Sequence, residues 1–198
     1  MGFNPELHRR RSIRLKGYDY SEVGMYFVTI CTSNKKCFLG DIVMEKVELS
    51  AIGGIASKYW LEIPEHFRNI KLDVFIMMPN HIHGIIFITD KSGGFDEERR
   101  GVINNAPALA SNYYSTISPR KGTLSTAVRT YKSAVSRWCG QNGYKYFEWQ
   151  RNYHEHVIRN EQDLEQIREY VVHNPLKWDM DEENPAVGKD KKTEGRYI

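Results

Sequence analysis

The stretch FIMMPNHIHGIIFIT, residues 75–89, sets two histidines, His81 and His83, inside an otherwise apolar run. β-Branched and aromatic residues dominate it and Pro79-Asn80 punctuates it, so it reads as a strand; it is too short to span a bilayer. In a strand, residues i and i+2 share a face. His81 and His83 therefore project side by side, with Ile82 on the opposite face. Two neighbouring imidazoles can share one metal ion, which then needs further ligands from elsewhere in the chain. They can equally be hydrogen-bonded histidines at a sheet end, because H-x-H alone is a weak motif.

Working outward, MYFVTICT (25–32) alternates aromatic and β-branched residues and predicts a strand. CFLGDIVMEKVELS (37–50) reads as a hairpin or second strand leading toward a helix. Ser50 can cap AIGGIASKYWLEIPEHF, where Ile52, Ile55, Tyr59, Trp60 and Ile63 recur near helical spacing. KLDVFIMM and HIHGIIFIT form two adjacent strands joined through Pro79-Asn80. Residues 91–122 lose all period and are expected to form a long mobile loop. Thr123 or Ser125 then starts a basic helix, LSTAVRTYKSAVSRWCGQNG, carrying Arg129, Lys132 and Arg137 and ending near Gly140 and Gly143. YFEWQ and NYHEHVIR are short strand candidates. NEQDLEQIREYVVHNP (160–175) predicts a well-marked helix, with Asn160 as N-cap, acids in the first turn and Pro175 as its stop. Strands interleaved with helices give an α+β class, an antiparallel sheet with helices on one face. Residues 1–180 are expected to form one domain, and 181–198 a frayed tail.

Of the 198 residues, 40% are hydrophobic and 27% charged, the balance of a globular chain with a core of its own. A formal charge of +3 decides little, but its distribution does. HRRRSIRLK gathers Arg9, Arg10, Arg11, Arg14 and Lys16, a cluster that can neutralise phosphates or form a solvated arm. Cys31, Cys37 and Cys139 are odd in number and form no C-x-x-C pair, which suits reduced thiols in the cytosol. The charged N-terminus has no apolar signal segment, and no run reaches the ~20 apolar residues of a membrane span.

In the last helix Leu164, Ile167 and Val171 form an apolar stripe. Tyr170 sits beside it, and Asn174 lies one turn further on the same face. Each has an ordinary role available: a tyrosine packs, and an asparagine before proline ends a helix. Together with the histidine pair they resemble the HUH-superfamily single-tyrosine transposases, especially the REP-associated tyrosine transposases of bacteria. The resemblance rests on RLKGYDYSEVGMYFVTICT, MPNHIHGIIFI and EWQRNYHEHVIRNEQDLEQIREYVVHNPLKW, which cover most of the chain outside the 91–122 stretch and the tail.

The resemblance implies a ferredoxin-like antiparallel sheet with helices packed on it. It implies that His81-Ile82-His83 is the HUH motif and that Tyr170, on a C-terminal helix shortly before an Asn-Pro pair, is the nucleophile. Asn174 corresponds to the family's third metal ligand, an amide one turn after the tyrosine. The implied cofactor is a divalent metal, Mg²⁺ or Mn²⁺, and the implied substrate is single-stranded or hairpin DNA, such as REP-like elements or insertion-sequence ends. Cleavage would leave a 5′-phosphotyrosine and a free 3′-OH, and rejoining would make the protein a strand transferase in the bacterial cytoplasm, at the nucleoid. It would work as a monomer or homodimer.

The residue types suit that chemistry. Two imidazoles and an amide leave positions on the cation for phosphate oxygens, and a nearby cation favours a phenolate over a phenol of pKa ~10. Single-stranded DNA is bound by cations with stacking aromatics, which Arg129, Lys132, Arg137, Trp149 and Tyr153 can supply. Two other readings stay open: a non-catalytic binder of structured DNA or RNA, and a metal hydrolase using His81, His83, His154 and His156 with water. Tyr131 and Tyr153 are rival nucleophiles, and His154, Glu155 and His156 support either the site or the DNA surface.

Overall fold

The computed structural model describes residues 23–89, 122–181 and 183–187. In chain order the elements are β1 (Gly24–Cys31), β2 (Gly40–Val43), β3 (Lys46–Leu49), α1 (Ala51–Leu61), the single turn α2 (Ile63–His66), β4 (Ile70–Met77) and β5 (His81–Ile88). They continue with α3 (Leu124–Gln141), β6 (His154–Ile158), α4 (Glu161–His173) and a 3₁₀ segment, Pro175–Met180. Short polar side chains start the three long helices. Ser50 accepts from the Gly53 amide, Thr123 from the Thr126 amide and Asn160 from the Asp163 amide.

The main sheet runs β4-β5-β1-β6, each pair antiparallel, while β2 and β3 form a separate hairpin. With α1 and α3 as the two connections, this is the ferredoxin-like β-α-β-β-α-β arrangement. The period of two along each strand sorts side chains onto two faces. Tyr26, Val28 and Ile30 of β1 and Ile82 and Ile86 of β5 bury against Ile52, Ala56 and Trp60 of α1 and Ala127, Val128 and Val135 of α3. Gly84 belongs to that face because a Cβ there would lie 2.4 Å from Trp60 Cζ2. The other face packs Ile85 and Ile158 against Leu164, with Phe27, Val74 and Ile167 around them.

Helices therefore cover both faces, not one. The apolar stripe of α4 is legible from its spacing, but spacing does not say which side of a sheet it will cover. YFEWQ is not a strand either; it contributes one bridge, Trp149 to Thr32. Most of the expected 91–122 loop lies outside the described residues, as do Arg9, Arg10, Arg11, Arg14 and Lys16. Of residues 181–198, only 181 and 183–187 are described. The Glu183 carbonyl accepts from Asn80 Nδ2 at 2.7 Å, and Asn184 Nδ2 donates to the Trp178 carbonyl at 2.9 Å. All three cysteines are free thiols. Among the described residues no helix is long and apolar enough to cross a membrane.

Candidate active site

His81 and His83 leave β5 on the face covered by α4, and both are buried. Asn80 settles the tautomer of the first. Its Nδ2 donates to two carbonyls, Lys35 at 2.9 Å and Glu183 at 2.7 Å, which fixes which end of the amide is oxygen. Asn80 Oδ1, 2.8 Å from His81 Nδ1, can only accept. The proton thus sits on Nδ1, and His81 Nε2 offers a lone pair with no partner. His83 Nδ1 lies 2.9 Å from Thr29 Oγ1, its register partner on β1. Burial pulls both imidazoles down to about 3 from 6.5, helped by the Lys35 charge at His81 and by His81 itself at His83, where Asp181 opposes the shift. Both rings are neutral at physiological pH.

α4 brings Tyr170 over this pair. The phenol oxygen is 3.2 Å from His83 Nε2. Phe27 stacks on the His83 ring at 5.2 Å and meets the Tyr170 ring edge-on at 6.0 Å, so one β1 side chain locates both. Farther back on α4, Arg168 donates through Nε and NH2 to Asp73 Oδ2, at 3.0 and 2.6 Å. Asp73 lies at the register slip of β4, between Leu72 and Phe75. Burial, then Asp181, raises the Tyr170 phenol above its ordinary value, while a hydrogen bond from Asn174 pulls it down. Asn174, one turn on, is buried with its Oδ1 unpartnered.

Asp181 completes the group. Ligand-capable atoms of His81, His83 and Asp181 all lie within 4.8 Å of one another. His81 Nε2 and Asp181 Oδ2, 3.9 Å apart, are not an ion pair, because the imidazole is neutral. Buried polar atoms without partners are costly, and two belong to residues of this site: His81 Nε2, in the group of three, and Asn174 Oδ1, on a residue that lines the cleft. Two neutral imidazoles, an amide oxygen and a carboxylate form a donor set that fits a divalent cation. The site opens into a cleft of about 460 Å³ whose lining includes Thr29, His83, His154, Tyr170, Asn174, Lys177, Asp181 and Glu183. Sequence reasoning missed Asp181 because it lies in a stretch with no periodic pattern.

The structure sorts the remaining candidates. Tyr131 is buried and its hydroxyl donates to the Ala56 carbonyl at 3.1 Å, so it has no access to a phosphate. Tyr153 is buried beside Ser125, and Trp149 packs on Phe147 and Tyr131 at the edge of the core. Lys132 is committed to the chain itself: its ammonium donates to the carbonyls of Gln150, Arg151 and Asn152. Arg129 and Arg137 are exposed on α3, in the layer opposite the cleft. His156 turns away to Asp163, 3.0 Å from Oδ2, so a four-histidine metal site is not assembled. His154 is exposed and lines the cleft.

No family model matches the chain. An uncharacterized protein of Haemophilus influenzae is 40% identical over 183 residues, covering 91% of this chain and 96% of that protein. The chain belongs to that protein's family. A second Haemophilus influenzae protein, provisionally named a REP-associated tyrosine transposase, is 26% identical over 163 residues, 80% of this chain and 74% of its own. The fold matches that of a REP-associated tyrosine transposase solved bound to a REP hairpin, with a TM-score of 0.55 and 18% identity over 84% of this chain and 74% of that one. The resemblance to REP-associated tyrosine transposases thus holds in sequence and in fold.

Proposed function

We propose that this protein is a metal-dependent transposase that cleaves and rejoins single-stranded hairpin DNA through a 5′-phosphotyrosine. One observation carries the reading: the Tyr170 phenol lies 3.2 Å from His83 Nε2, in a site where His81 Nε2 and Asn174 Oδ1 are buried without partners. A nucleophile, a metal-ligand set and an open cleft meet at one point. The hairpin held by the fold neighbour supports the substrate class, and a DNA substrate places the protein in the bacterial cytoplasm, at the nucleoid.

His81, His83, Asn174 and Asp181 would hold Mg²⁺ or Mn²⁺. A cation bound there would polarise a phosphate oxygen and offset the charge that builds on it. Asn80 keeps His81 in the tautomer that leaves the Nε2 lone pair for a ligand bond, and Thr29 holds the His83 ring through Nδ1. Tyr170 attacks phosphorus, its oxygen becomes bonded to the 5′ phosphate, and the 3′ oxygen departs. Without a cation, burial and Asp181 hold the phenol above its ordinary value, so a bound cation would have to offset that shift as Tyr170 gives up its proton during attack. The stored ester is later opened by another 3′-OH, which restores the phenol.

Tyr170→Phe removes one oxygen and keeps the ring that meets Phe27 and His83. With an end-labelled hairpin and Mn²⁺, wild type should yield a denaturation-resistant, protein-linked fragment and Tyr170→Phe none. DNA affinity should be unchanged. Adduct persisting in the variant moves the nucleophile elsewhere. Wild-type cleavage without adduct would make water the nucleophile, and binding without cleavage would make the protein a non-catalytic binder.

A further inference from the structure

His154 sits on β6, at the other side of Thr29 from His83: Thr29 is the register partner of both. It projects from the sheet face that carries His81 and His83, and it lines the cleft that holds Tyr170. Adjacent strands are about 4.8 Å apart, so His83 and His154 are separated at the backbone by two such spacings, roughly 10 Å. That gap is wide enough for one phosphodiester. α4 crosses the sheet so that Arg168 meets Asp73 on β4 while the helix starts beside β6. Tyr170 therefore approaches from the β4–β5 side, and His154 faces it from β6.

A phosphoryl transfer with entering and leaving oxygens in line puts the departing 3′ oxygen on the far side of phosphorus from the phenol. Among the described residues, the titratable and charged groups facing the cleft are His83, His154, Tyr170, Lys177, Asp181 and Glu183. His83 is held by Thr29 and Tyr170, Asp181 belongs to the metal-ligand set, and Glu183 pairs with Lys35 at 3.5 Å. His154 and Lys177 are left to offer a proton, and only an imidazole shuttles one in both directions near neutral pH.

We infer that His154 is the proton donor to the departing 3′ oxygen, and the base that activates the incoming 3′-OH when the strand is rejoined. The inference rests on the strand-transfer reading above. In cleavage the Tyr170 oxygen bonds to phosphorus and releases its proton to solvent. The P–O3′ bond breaks with its electron pair on O3′, which takes a proton from the His154 imidazolium and leaves a neutral ring. Rejoining runs the same transfers backwards. His154 is a catalytic residue, touching the reacting oxygen.

The test uses a hairpin oligonucleotide with single-stranded flanks copied from the DNA beside the protein's own gene. Wild-type adduct with Mn²⁺ locates the scissile linkage, and a second oligonucleotide replaces the bridging 3′ oxygen there by sulfur. A thiolate leaves without a proton. On the oxygen substrate, His154→Gln should slow adduct formation by about 10²–10⁴-fold, the usual scale of general acid catalysis. On the sulfur substrate it should match wild type. Equal loss on both substrates would mean that His154 only places the DNA, and no loss on oxygen would exclude it; either overturns the inference. Sulfur rescue in Lys177→Met but not in His154→Gln would overturn it in favour of Lys177. If wild type forms no adduct at all, the strand-transfer reading itself fails, and this inference with it.

Discussion

The side-chain amide of Asn80 meets His81 Nδ1 at 2.8 Å with its oxygen and the Glu183 carbonyl at 2.7 Å with its nitrogen. One buried residue thus orients the unpartnered lone pair on His81 and ties down the segment that carries Asp181. The turn before β5 and the chain after the 3₁₀ segment are joined beside the candidate cation site.

Asn80→Ala should therefore weaken divalent binding without altering the ligands. Partners that orient metal-binding histidines typically account for about 10–100-fold in affinity. Titration calorimetry with Mn²⁺ on wild type and variant would measure it. An unchanged affinity would mean that His81 keeps its tautomer unaided. Asp181→Asn leaves the Asn80 contacts in place and should weaken Mn²⁺ through the lost charge alone.

The neutral imidazoles give the metal-free protein an acid sensitivity. His81 and His83 titrate near 6.5 in an unfolded chain but near 3 when folded. Below pH 6.5 the unfolded chain takes up protons that the folded chain refuses. Stability is thus full above that pH and falls as pH drops toward 3, by about 1.4 kcal/mol per pH unit for each ring. Urea unfolding in chelator should show a loss on the order of 3–4 kcal/mol between pH 7 and pH 5. The double variant His81→Gln, His83→Gln should flatten this dependence. Equal slopes in the two proteins would assign the acid sensitivity to other groups.

Arg168 predicts a kinetic effect. Its guanidinium links α4 to Asp73 on β4, two residues from Tyr170, and its NH1 also meets Glu165. Arg168→Ala should let the helix end shift while Tyr170, the candidate ligands and the cleft all remain. Small misplacements of a reacting group cost up to about 10²-fold in rate. Adduct formation should slow within that range, with Mn²⁺ affinity held. Loss of affinity in step with rate would show that the pair supports the whole site instead of the tyrosine.

Local chemistry was legible and long-range closure was not. Ser50, Thr123 and Asn160 cap helices because each meets an amide three residues on. His81 and His83 share a face because strands have a period of two. The stripe of Leu164, Ile167 and Val171 announced a packed helix but not the side of the sheet it would cover. Asp181 stayed hidden because its place depends on a contact between Asn80 and Glu183, residues 103 apart in the chain. Composition cannot reveal that the Lys132 ammonium meets three carbonyls.

Lys132 thus separates two kinds of basic residue. Burial lowers its pKa from 10.5 to about 8, still protonated at neutral pH, and its donors point at the turn that leads into β6. Lys132→Met should lower stability by about 1.5–3 kcal/mol, the scale of hydrogen bonds to a charged group, and leave the salt dependence of hairpin binding alone. Replacing Arg9, Arg10 and Arg11 by alanine should do the reverse. For single strands the slope of log K against log salt changes by about 0.7 per phosphate neutralised. If each arginine meets one phosphate, the triple variant flattens the slope by about two, with the melting temperature unchanged. Arg129→Ala with Arg137→Ala tests α3 in the same titration. A flatter slope would place DNA across the layer opposite the cleft, and an unchanged one would make that surface merely solvated. A flattened slope in Lys132→Met would mean that its ammonium leaves the carbonyls for phosphate when DNA binds.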